Sequence, residues 1–238
     1  MTANDQSELI AELKAWSASF EAKQPQDVLE AAIERYTRKI VLACSFGAED
    51  VVLVDMVHRI NPSVPLFYLD TEFLFPETYA TRDRVIERYS LQPAQVIHVK
   101  SLLTPQKQAE SYGDALWASN PDQCCQLRKV EPLTRILQGY EAWITGIRRD
   151  QAPSRANAGL IEWDQKFELV KTNPLARWTW TDVWTYIKVY EVPYNPLHDH
   201  NYPSIGCTYC TAPVASGDDP RAGRWKNFSK TECGLHKA

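Results

Sequence analysis

The chain switches repeatedly between two hydrophobic periods. Leu9, Ile10, Leu13, Trp16 and Phe20 recur at helical spacing, and Val28, Leu29, Ala32, Ile33 and Tyr36 do so again behind Pro25, a residue suited to a first helical turn. Residues 1–38 are therefore expected to form two helices. The period then shortens: residues 40–44 are an apolar run of strand length ending in Ser45-Phe46-Gly47-Ala48-Glu49-Asp50, and residues 51–60 return to helix. The cycle repeats with a strand over 65–69, a loop over 70–75, a helix over 76–89 opened by Pro76 and Glu77, and a strand over 95–99. After a polar helical stretch come a helix over 122–137 and a fourth strand over 142–145 that ends at Gly146. This rhythm implies parallel crossovers and an α/β fold, an open, mostly parallel sheet covered by helices. Ligands of such sheets bind beyond the carboxyl ends of the strands, which selects the loops 45–50, 70–75 and 146–155. No repeat or Gly/Ser linker divides the chain, so residues 1–238 read as one domain. Residues 214–238, poor in apolar side chains, read as a mobile C-terminal tail.

Composition narrows the classes. Hydrophobic residues at 44% and charged residues at 24% suit a packed domain and exclude a disordered chain. The 26 Lys and Arg against 30 Asp and Glu leave a net charge of −4, which argues against a nucleic-acid surface but allows a local basic pocket. No apolar run approaches the roughly 18–20 residues of a membrane span, and the polar, acidic start is unlike a signal peptide; the cytoplasm is the expected compartment.

In a reducing compartment the six cysteines are to be read for metal or redox chemistry. Cys207-x-x-Cys210 has metal-ligand spacing, and Cys124 with Cys125 supplies two further thiolates. Zinc and iron-sulfur both accept such a set, a redox-active pair or buried thiols are the alternatives, and spacing alone selects none of them. Cys44, in the first strand, reads as packing. Cys233 lies outside any apolar pattern, and a nucleophilic role would need a cation nearby to lower its pKa from about 8.5. Ser45 and Gly47 stand where a helix N-terminus offers N–H groups and dipole charge to a phosphate, although without a Walker lysine an ordinary turn would look the same. Arg148, Arg149 and Arg155 cluster after the fourth strand, and Arg221 and Arg224 in the tail. Any one of them reads as a solvated charge; two clusters beside ligand-facing loops point to an anion.

Six stretches carry a joint likeness: Ser45-Phe46-Gly47-Ala48-Glu49-Asp50, Leu69-Asp70-Thr71, Cys124-Cys125-x-x-Arg128-Lys129-Val130-Glu131-Pro132-Leu133, Gly146-x-Arg148-Arg149-Asp150, Tyr202-Pro203-Ser204-Ile205-Gly206-Cys207-x-x-Cys210-Thr211 and Glu232-Cys233-Gly234-Leu235-His236. Together they resemble the assimilatory sulfonucleotide reductases, the adenylylsulfate and phosphoadenylylsulfate reductase family, over almost the whole chain. The resemblance implies a Rossmann-like fold of adenine nucleotide alpha hydrolase type, related to the ATP pyrophosphatases, with a phosphate loop that binds sulfonucleotide without splitting ATP. It implies a [4Fe-4S] cluster on Cys124, Cys125, Cys207 and Cys210, a set that in this family accompanies use of adenylylsulfate rather than the 3'-phosphorylated nucleotide. It implies reduction of adenosine 5'-phosphosulfate to sulfite and AMP, in sulfate assimilation and cysteine biosynthesis, through an S-sulfocysteine on Cys233, with thioredoxin or glutaredoxin as reductant. No nucleic-acid or membrane partner follows from it, and a homo-oligomer is compatible with it. The expected substrate-binding residues are Ser45, Gly47, Asp70, Thr71, Lys129, Arg148, Arg149, Arg221 and Arg224. Two positions depart from the family's habit: Tyr209 stands where proline is often found, and Asn201 where glycine is common, a mild change because Asn tolerates a left-handed backbone. A tRNA-thiolating enzyme would want a Ser-Gly-Gly-x-Asp-Ser loop and a basic face, and a zinc-stabilised regulator would leave Cys233 unexplained.

Overall fold

The computed structural model describes residues 3–226, 228, 230, 232, 234 and 235. Helices α1 (Ala3–Ser19) and α2 (Pro25–Tyr36) precede β1 (Ile40–Ala43), α3 (Ala48–Ile60), β2 (Leu66–Asp70), α4 (Pro76–Arg88) and β3 (Val96–Lys100). Short helices α5 (Pro105–Tyr112), α6 (Leu116–Ser119) and α7 (Pro121–Cys125) lead to α8 (Glu131–Leu137) and β4 (Ala142–Ile144). A hairpin, β5 (Ile161–Asp164) and β6 (Leu169–Thr172), and α9 (Trp180–Tyr190) follow. The sheet order is β3-β2-β1-β4-β6-β5, parallel throughout except for β5 at its edge.

Strand pleating divides the core between two faces. Ile40, Leu42, Ala142 and Ile144 point toward the cluster that includes residues of α2, α3 and α9, whereas Val41, Phe67 and Trp143 point the other way, onto Leu133 and Leu137 of α8. The expected helix over 122–137 exists but widens at Gln126–Val130 into a π turn, in which the Glu131 N–H reaches back to the Gln126 carbonyl. Pro132 supplies the reason: it lacks an N–H and would crowd the carbonyl four residues back in a regular helix.

The hairpin and α9 lie outside the sequence-derived plan. Glu162 and Lys171 interrupt the apolar pattern, but in the hairpin they face each other and pair at 3.4 Å, with the Lys171 ammonium over the Trp143 ring. Asn201 does adopt the left-handed conformation, at φ 64. Among the described residues no helix is long and apolar enough to cross a membrane. Strands β1 and β4 are neighbours in the sheet although chain order separates them, which makes their carboxyl ends the topological switch point.

Candidate functional site

A cavity of about 340 Å³ opens at that switch point, lined by the chain after β1 and after β4. Gly47 caps α3, so the first-turn N–H groups of this helix have no carbonyl behind them. The turn is held from within: the Ser45 N–H and Oγ both donate to Asp50 Oδ2 at 2.6 Å, and Phe46, at φ 60, is fixed by its ring against Tyr68. Burial pushes the Asp50 carboxyl up to about 6, despite the Ser45 hydrogen bonds that favour its charge. A Cβ on Gly146 would collide with this carboxylate and with Glu49 Cβ. Gly146→Ala is therefore expected to destabilise the fold by about 1–3 kcal/mol, read as a lower midpoint in urea denaturation.

Of the expected substrate-binding residues, Ser45, Gly47, Thr71, Lys129, Arg148, Arg221 and Arg224 line the cavity. Arg148 is buried between Glu49, at 3.0 Å, and Asp150, and lies over the Trp180 ring. Arg224 donates to Ser204 Oγ and the Ile205 carbonyl and stacks on Trp225, while its buried Nε has no partner among the described residues. Its guanidinium lies against Gly206, where a Cβ would not fit.

Two expected residues are placed elsewhere. Arg149 turns away to Glu21, in the turn after α1, at 2.5 Å, and to the Ala158 carbonyl. Asp70 accepts from Tyr79 Oη and the Glu72 N–H and meets His98 Nε2 at 2.7 Å. Burial pushes its carboxyl up, but these hydrogen bonds outweigh burial and hold it below the usual range. These contacts hold the turn that leads into Thr71. Sequence reasoning missed Glu49, Trp180, His198 and Glu232, which also line the cavity, and did not count Arg155 among the ligands.

Cys233 lies outside the described residues; Glu232, Gly234 and Leu235 are described. Glu232 is buried, taking two hydrogen bonds from Arg155, at 3.2 and 3.0 Å, and one ion pair from Arg221 at 3.1 Å. Leu235 lines the cavity and packs beside the α8 face, and Lys166 Nζ donates to the Gly234 carbonyl. The described residues on either side of Cys233 are thus docked at the cavity.

Cys124, Cys125, Cys207 and Cys210 are buried cysteines around a second, small cavity, and Lys129 lines both cavities. Cys207 is brought there by a bridge to Leu74 and sits 3.3 Å from Thr71 Oγ1. Burial and the neighbouring thiols push Cys124 up to about 12 and Cys210 up to about 11, so four thiolates would need a positive centre among them. Arg128 lines this cavity too: Nε donates to Gln108, Nη1 to Glu72, and buried Nη2 has no partner among the described residues. Trp117 stacks on Tyr209 at 4.2 Å beside it. No three His, Cys, Asp or Glu among the described residues are grouped so as to hold one metal ion. Cys44 is fully buried, its thiol pushed well above the usual range, as packing requires.

The phosphoadenosine phosphosulfate reductase domain matches residues 39–213. An adenosine 5'-phosphosulfate reductase of Halalkalibacterium halodurans is 50% identical over 219 residues, covering 92% of this chain and 94% of that protein. A phosphoadenosine 5'-phosphosulfate reductase of Gloeobacter violaceus is 47% identical over 226 residues, covering 94% and 93%. The crystal structure of a phosphoadenylyl-sulfate reductase from Candida auris, in complex with phosphate, superposes with a TM-score of 0.75 at 31% identity, covering 84% of this chain and 96% of that one. With the domain matched over residues 39–213 and relatives of about 50% identity aligned along nearly their whole length, the chain belongs to the phosphoadenosine phosphosulfate reductase domain family, the adenylylsulfate and phosphoadenylylsulfate reductases.

Proposed function

We propose that the protein reduces adenosine 5'-phosphosulfate to sulfite and AMP, with Cys233 as nucleophile and a dithiol protein of thioredoxin or glutaredoxin type as electron donor. The observation that carries this reading is the docking of Glu232 on Arg155 and Arg221 in the wall of a cation-lined cavity, which brings the chain on either side of Cys233 to a site suited to an anion. The Cys233 thiolate attacks the sulfonate sulfur, the sulfur–oxygen bond to the phosphate breaks, and AMP leaves with the bonding pair. Lys129, Arg148, Arg221 and Arg224 bind the phosphate and sulfonate oxygens and meet the charge that gathers on the leaving phosphate. A thiolate of the reductant then attacks Cys233 Sγ, sulfite leaves with the sulfur–sulfur pair, and the second thiol resolves the mixed disulfide. The dithiol supplies both electrons. For that step the tail must swing outward, breaking the Glu232 ion pairs.

The four thiols fit a [4Fe-4S] cluster. A cluster carries one thiolate on each of four irons and spreads its ligands wider than a single ion does, in keeping with buried thiols around one cavity that form no single-ion group. The unpartnered Arg128 Nη2 suits the net negative charge of such a group. Bound there, it supplies a fixed charge beside Lys129 and stability. Adenylylsulfate is favoured as substrate by this cysteine set and by the name of the Halalkalibacterium halodurans relative.

Glu232→Gln tests the docking step. Freed of their carboxylate, Arg155 and Arg221 are expected to bind AMP at least as tightly as before, while kcat falls about tenfold because the tail is no longer held. A matched fall in AMP affinity and kcat would contradict the positioning role.

A further inference from the structure

His198 stands on the turn Pro196–His200 after α9 and lines the switch-point cavity. Its Nδ1 is 2.8 Å from the Tyr202 carbonyl oxygen, which only accepts, so Nδ1 carries the proton. Trp180 and Trp184 pack against the ring, at centroid distances of 5.8 and 5.5 Å. Burial pushes its pKa down, against the pull of the Glu49 charge, and keeps the ring neutral. Nε2 is then a bare acceptor, buried and without a partner among the described residues. Leaving such an atom unpaired is costly.

The cations of this cavity suit phosphate and sulfonate oxygens, which only accept hydrogen bonds. An acceptor cannot serve them. The donors of an adenine nucleotide are the 2'- and 3'-hydroxyls of the ribose and the 6-amino group of the base. We propose that His198 Nε2 is a specificity-determining acceptor that takes a hydrogen bond from a donor on the nucleoside part of the ligand, and so marks the nucleoside end of the cavity. This rests on the nucleotide reading given above. Trp180 connects the two ends: its ring meets the Arg148 guanidinium, 5.4 Å from the centroid, as well as His198. If the donor is the 3'-hydroxyl, a 3'-phosphate would set an anion against the Nε2 lone pair, and the same residue would discriminate between the two sulfonucleotides.

The test is equilibrium binding of AMP, 2'-deoxy-AMP, 3'-deoxy-AMP and the 6-desamino analogue purine riboside monophosphate to the intact protein, to His198→Leu and to His198→Gln. In the unaltered protein one analogue is expected to bind about tenfold more weakly than AMP, and its identity names the donor. In His198→Leu that ratio should fall to about one, and in His198→Gln, whose amide keeps an acceptor, it should be partly restored. If all three analogues bind the unaltered protein as tightly as AMP, the proposal is overturned whether or not the variants fold. Equal analogue ratios in the unaltered protein and a folded His198→Leu overturn it as well. Failure of AMP itself to bind would overturn the nucleotide reading instead.

Discussion

Cys233→Ser is expected to lower sulfite formation by about 10⁴-fold or more, the scale seen when a nucleophile is removed. Two losses combine. A serine hydroxyl is almost wholly protonated at neutral pH and attacks poorly. Any sulfate ester it did form would have no sulfur–sulfur bond for a dithiol to cleave, so the cycle would stop after one turn. AMP binding and the visible iron-sulfur absorbance should stay within about twofold of the unaltered protein, because the thiols around the second cavity are other residues. Sulfite release measured with a thioredoxin system separates the cases, and substantial turnover by the variant would remove Cys233 from the chemistry.

The second large effect concerns the four buried thiols. Cys207→Ser and Cys124→Ser are each expected to lose iron and stability together, with a thermal midpoint lower by roughly 10 °C, since ligand binding to the folded state is folding free energy. Loss of the group would leave thiols that repel one another as thiolates and an Arg128 Nη2 without a partner. Iron analysis and a melting curve on anaerobically prepared protein check this. A variant that kept the full iron content of the unaltered protein would show that the quartet is wrongly assigned.

What the sequence disclosed depends on how local the signal was. The unbroken apolar run from Ile40 to Cys44 marked a strand, and the structure packs Ile40 and Leu42 on one face of the sheet and Val41 on the other. The Ser45 to Asp50 turn was legible because its hydrogen-bond partners are neighbours in sequence, Ser45 donating to Asp50. The hairpin was not, because Glu162 and Lys171 look like surface charges until the fold pairs them. The same limit hid the contacts that two of the expected substrate-binding residues make within the fold. Arg149 meets Glu21, 128 residues away, and Asp70 is taken up by Tyr79 and His98. A side chain's direction from a loop is set by such distant contacts and leaves no trace in local spacing. Glu232 was visible only as the neighbour of Cys233, and His198 not at all, since its role depends on where Tyr202 and the two tryptophans put its ring.

The most direct test of the proposed function is the ratio of kcat/KM for adenosine 5'-phosphosulfate and its 3'-phosphorylated counterpart, measured as sulfite release with one thioredoxin and cluster-replete protein. A pocket that left the extra phosphate desolvated and unpaired would reject it strongly. The expected result is sulfite from both or from the first alone, with the ratio favouring adenosine 5'-phosphosulfate. A ratio favouring the 3'-phosphorylated nucleotide, or no sulfite from either, would contradict it.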